Sequence, residues 1–255
     1  MSGYRQLLEK EIVEAWRTYR LAGLAGLYLV LGIGVAVFTR GQRALERWFA
    51  TSDFEIGLPP AGPPDVVATF VLVVLQLGAV VAILMTMGSV AGERERGTLA
   101  YVLVKPVSRA ALLAAKWVAL AMQFAVGVGL ATLGAWLYTG VLIEPVPATP
   151  WIQMATIVWL GTMVYVSVTL LGSVLFGSPL AAGVVGFLGL VGLTLATGVP
   201  TLAPWLPAGL GEVATSLALQ ESSPDLDPTR TIGMSVLVVA ALLVAAWLRF
   251  RRQEI

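Results

Sequence analysis

Six apolar stretches, near residues 21–39, 66–91, 110–140, 151–176, 180–199 and 231–248, constrain this chain more than any other feature. A bilayer's hydrocarbon core is roughly 30 Å thick and takes about 20 apolar residues per helix. Each stretch meets or approaches that length. In lipid the backbone must satisfy its own N–H and C=O groups, which leaves helices or closed barrels. The alternation over about ten residues that marks a barrel strand is missing. The expected fold class is therefore all-α: a polytopic membrane protein with six transmembrane helices in one domain, 1–255. Composition agrees, since 58% of the residues are hydrophobic and only 12% are charged.

The placement of the basic residues orients the spans. With an inside N-terminus, cytoplasmic segments hold Arg5, Lys10, Arg17, Arg20, Arg94, Arg96, Lys105, Arg109, Lys116, Arg249, Arg251 and Arg252. Of the sixteen Lys and Arg, only Arg40, Arg43, Arg47 and Arg230 then fall outside. The positive-inside rule thus puts both termini in the cytoplasm, as an even number of spans requires. Arg40, Arg43 and Arg47 oppose the bias, and with Trp48 and Phe49 they read as a short interfacial helix.

Glu9, Glu11 and Glu14 precede the first apolar run, and no small-residue cleavage site follows it, so no cleavable signal peptide is expected. Residues 2–20 read as an amphipathic helix along the inner membrane surface, either as an anchor or in contact with a cytoplasmic partner. Its apolar positions, Tyr4, Leu8, Ile12, Ala15, Trp16 and Tyr19, recur at helical spacing. Arg5 with Glu9 and Lys10 with Glu14 form i,i+4 pairs.

Between the second and third spans lies the one dense run of charge, GERERGTLAYVLVKPVSRAALLAAK over 92–116. Glu93, Arg94, Glu95 and Arg96 point around the whole helix circumference, so the second span must leave the bilayer there; Arg or Asp at a helix centre costs roughly 2.5–3.5 kcal/mol. Gly97 is suited to end that helix and Thr98 to cap a short new one over 99–104. Pro106 restricts Lys105 and removes a backbone donor. Ser108 is placed to cap the third span, whose first turns carry Arg109 and Lys116 at phosphate depth. Glu93 and Arg96 have the spacing to pair with each other. Charge alone describes an ordinary cytoplasmic loop, but such a loop has no need of Gly-Thr followed by Pro-Val-Ser-Arg.

This run resembles the signature of type-2 ABC transporter permeases. There an acidic-x-x-x-Gly-Thr-Leu stretch leads into a Pro-Val-Ser-Arg turn and a lysine-bearing third span. The matching residues are Glu93, Gly97, Thr98, Leu99, Pro106, Val107, Ser108, Arg109 and Lys116. The resemblance implies that 92–109 is a coupling segment, with Glu93, Arg94, Glu95, Arg96, Gly97, Thr98, Leu99, Pro106, Ser108 and Arg109 at the contact with a separate ATPase subunit. It further implies two copies of that subunit, which bind ATP and Mg, and a second permease chain, the same or homologous. The setting would be the cytoplasmic membrane of a prokaryote, with lipids and no nucleic acid as further partners. The function expected is permease subunit of an ATP-driven exporter, moving a hydrophobic or amphipathic substrate or transmitting force across the membrane.

The residues themselves set limits on the alternatives. The lysines are Lys10, Lys105 and Lys116, and none closes a G-x-x-x-x-G-K-[ST] phosphate loop, so hydrolysis needs another polypeptide. With no His and no Cys, imidazole and thiolate chemistry are excluded, and no cofactor or metal is expected in this chain despite Met85 and Met87. The absence of central Asp or Glu disfavours a secondary transporter, and the lack of paired carboxylates disfavours an intramembrane enzyme. A membrane scaffold uncoupled from ATP is the remaining alternative. Gln76, Gln123 and Gln153 are expected to make helix–helix hydrogen bonds, with substrate contact as the alternative. Gly183, Gly186, Gly189 and Gly192 form a seam for close packing of the fifth span. Within 200–229, residues 208–220 read as a short external surface or re-entrant helix.

Overall fold

A computed structural model describes residues 2–49, 62–98, 108–199, 201, 205–220 and 227–253. Leu99 and Pro106, with the short helix expected over 99–104, lie outside these, as do the side chains of Arg43, Arg47, Trp48 and Phe49. Among the described residues there is no strand. The chain begins with α1 (Ser2–Arg17) and α2 (Arg20–Phe49), separated by an elbow at Tyr19, whose φ is +56°. Then come α3 (Pro63–Thr86) and the short α4 (Ala91–Glu95). α5 (Arg109–Leu142), α6 (Ala148–Leu175) and α7 (Pro179–Thr197) follow. A 3-10 turn (Pro207–Gly209), α8 (Leu210–Leu219) and α9 (Pro228–Arg251) complete the order. Six helices are long and apolar enough to cross a membrane.

α6 is the central post and packs against α3, α5, α7, α8 and α9. Of its most apolar window 61% is buried, against 17% for α7 and 22% for α9, so the latter two are peripheral. Lipid tails are as apolar as leucine, so close backbone approach, more than hydrophobicity, holds such helices together. α2 lies along α5 at Gly32, where a Cβ would run into the Ala131 backbone, and at Gly134, where it would sit 3.1 Å from Ile33 Cγ1. Tyr28 of α2 is fully buried and meets Phe124 edge-on at 6.3 Å between ring centroids.

Two sequence expectations need correction. α2 runs unbroken to Phe49, so Arg40, Arg43 and Arg47 continue the first long helix and form no separate one. Arg40 has a local use there, donating 2.8 Å to the Leu142 carbonyl at the end of α5, where a cation also suits the helix dipole. The glutamines do not bridge helices: Gln123 donates to Ala119 of its own helix at 3.2 Å, Gln76 lines a cavity, and Gln153 is exposed. Trp117 and Trp159 do the bridging, donating from α5 to Ser167 (3.0 Å) and from α6 to Ala121 (2.9 Å).

Candidate functional site

The charged run after the second span departs from the helix axis at a definite place. α3 ends at Thr86, four residues intervene, and α4 starts at Ala91. Such a break leaves backbone groups unpaired inside a protein, where each costs about 1–3 kcal/mol. Ser173 of α6 satisfies three of them: its hydroxyl accepts from the Val90 and Ala91 amides at 3.1 and 2.9 Å and donates to the Met87 carbonyl at 2.9 Å. The sequence contains this serine without marking it, because its partners stand more than eighty residues away.

The segment changes from buried to exposed along its length. Ala91, Gly92 and Glu93 are buried, while Glu95, Arg96, Gly97 and Thr98 are exposed. Gly97 adopts φ +70°, a conformation that costs a residue with a Cβ roughly 1–2 kcal/mol. Its amide donates to the Arg94 carbonyl at 3.0 Å, and the Thr98 hydroxyl donates back to Glu93 at 3.1 Å. On the far side of the segment Ser108 has extended backbone, and its hydroxyl accepts from the Ala111 amide at 3.1 Å, capping α5. Arg94 donates to the Gln253 side chain, and Gln253 in turn donates to the Val174 carbonyl at 2.8 Å. Arg109 donates to the carbonyls of Phe250, Arg251 and Gln253 at 2.9, 3.1 and 2.5 Å, with its guanidinium also 5.8 Å from the Phe250 ring centroid. A cation at the exposed C-terminal carbonyls of α9 is where the helix dipole favours one.

Lys116 has its charge turned into the protein. It is 2% exposed, two turns into α5, with its Nζ 2.8 Å from Glu93 and 2.9 Å from Glu11. Lys10 reaches the same Glu93 oxygen at 3.2 Å, Glu11 at 3.3 Å and Glu14 at 3.5 Å. Glu93 is therefore turned to these two lysines, and no pair with Arg96 forms among the described contacts. Burial works against a charge on Lys10, but Glu11, Glu93 and Glu14 together outweigh it and raise its pKa above the ordinary value.

The buried face of α1 explains how Glu11 gets there. Leu7 and Ala15 are buried, Tyr4, Leu8, Glu11 and Ile12 partly so, a stripe at i, i+4, i+7 and i+11 that packs on α5. Trp16 and Tyr19, expected on that stripe, are 71% and 78% exposed. Beneath it, Leu112, Leu170, Val174 and Phe250 form a second apolar cluster at the α4 end of the bundle.

Two cavities lie elsewhere. One, of about 410 Å³, lies between α3, α6, α7 and α8, with Gln76, Tyr165, Thr194, Glu212 and Thr215 on an otherwise apolar lining. The other, of about 530 Å³, lies between α5 and α6, walled by Trp136, Trp151 and Trp159. Neither touches the charged cluster.

A family model described as ABC-2 family transporter protein matches residues 7–255. The uncharacterized transmembrane protein YxlG of Bacillus subtilis (strain 168) is similar to this chain, 27% identical over 259 residues that cover 97% of each.

Proposed function

The chain belongs to the ABC-2 family of transporter proteins, and we propose that it is the permease subunit of an ATP-driven exporter whose segment 92–109 receives movement from a separate ATPase subunit. One observation carries this reading: the segment is anchored through Glu93 of α4 and open over the residues that follow, Glu95, Arg96, Gly97 and Thr98. An element that only turned the chain would need no such division. Leu99, Pro106 and Ser108 belong to the same segment by position, while Arg94 and Arg109 tie its flanks to the end of α9.

In this reading α4 and both termini face the cytoplasm of a prokaryote. Two ATPase subunits bind ATP and Mg, since this chain lacks a phosphate loop. Two permease chains complete the complex; the sparsely buried α7 and α9 supply surface for a second copy and for lipid. The cargo suited to the two cavities is hydrophobic or amphipathic, because few polar groups line them. Transmission of force to an external protein uses the same coupling.

The test is to purify the tagged full chain from its native membranes. A separate polypeptide with ATPase activity is expected to accompany it. Reversing the charges of Glu95 and Arg96 is expected to release that subunit while membrane insertion is retained. Purification of the native chain without any ATPase subunit would refute the reading.

A further inference from the structure

The deepest charge in the described structure, Lys116, plays no part in the exposed stretch from Glu95 to Thr98. Lys116, from α5, is bonded to Glu93 of α4 and Glu11 of α1, three segments that the chain itself does not hold together. A single oxygen of Glu93 serves both Lys116 and Lys10, while its other oxygen is buried without a partner. Such an arrangement is a poor means of gaining stability, because apolar side chains of similar volume usually hold a buried site as well or better. What charge adds is register. α1 seats where Glu11 meets the ammonium, and a one-residue slide along α5 would part Glu11 from Lys116 while Glu93 stayed with it.

We infer that Lys116 is the positioning residue of the coupling element: its charge fixes α1 and α4 on α5, so that the three move as one body. This rests on the coupling role proposed above for 92–109. The neighbouring ties run elsewhere, Ser173 to α6 and the Arg94–Gln253 and Arg109 contacts to the end of α9. Lys116 is the ionic tie to the third span, beside the apolar contacts of α1. Displacement of the docking face is thereby delivered into α5, the longest helix, which packs along α2 and α6.

The chain has no cysteine, so Leu7→Cys introduces a single thiol, at a site on the buried face of α1. In inside-out vesicles from native membranes, this thiol is expected to resist a water-soluble maleimide, with or without added Mg-ATP. Lys116→Met is expected to abolish that protection, and Lys116→Arg, which keeps the charge, to preserve it. Glu11→Gln leaves Lys116 paired with Glu93 and provides a gentler variant with the same expected exposure. The ATPase subunit is expected to remain bound in all of them, since Glu95 to Thr98 are untouched. Protection that persists in both Lys116→Met and Glu11→Gln would overturn the inference. So would equal loss in Lys116→Arg, which would make packing the cause, or exposure by Mg-ATP alone. Failure of the coupling role would be read separately, as absence of the ATPase subunit from the unaltered complex, and would overturn the functional half of the inference.

Discussion

Ser108 and Gly97 show what a single residue discloses about its own neighbourhood. A cap depends on the side chain and the three amides after it, and the left-handed position depends on one φ, so both were legible from local sequence. Ser173 and Lys116 were not, because their partners come from other helices. The lysine was visible, but the carboxylates that neutralise it lie 23 and 105 residues away along the chain. Two outcomes are expected at this scale. Ser173→Ala strands the Val90 and Ala91 amides and the Met87 carbonyl, and should destabilise the protein by about 1–3 kcal/mol in detergent unfolding. Gly97→Ala places a Cβ in open space but at φ +70°, and should cost about 1–2 kcal/mol. Gly97→Asn, more tolerant of that conformation, should cost less in the same measurement.

Helices carry the next level of information, and the apolar period located them better than it oriented them. The long spans announced themselves by length. The expected stripe of α1 holds at Tyr4, Leu8, Ile12 and Ala15 but not at Trp16 and Tyr19, which are apolar yet exposed, and it misses Glu11, which is charged yet turned inward. Hydrophobicity does not anticipate a carboxylate that has a buried cation waiting. In α7 the glycine seam was legible, since only glycine admits another helix so closely. A Cβ at Gly186 would meet the Thr169 hydroxyl and lie 2.9 Å from two carbons of Ile83, whereas one at Gly192 would meet nothing. Gly186→Ala is therefore expected to destabilise the protein by about 1–3 kcal/mol. Gly192→Ala should leave the unfolding midpoint unchanged.

For the molecule as a whole, the division of labour follows from where polar groups are tolerated. The long spans carry few charges, and their packing uses small residues, indole N–H groups and short-range hydrogen bonds. Among the described residues the ion pairs gather at one end, where α1, α4 and the start of α5 meet near the ends of α6 and α9. The six-helix plan was readable because lipid imposes it on composition. The convergence at that end was not, because it depends on how the spans are arranged around α6. The family supplies the transport class, and the geometry supplies a reason for the charged run to be both anchored and exposed.

Docking of 92–109 onto an ATPase subunit is the central claim, and the absence of native cysteine makes it directly measurable. Glu95→Cys, carrying a short photoactivatable cross-linker and illuminated in native membranes, is expected to join this chain to a separate ATPase polypeptide. Reaction only with lipid, or labelling only from the external side of the membrane, would contradict it.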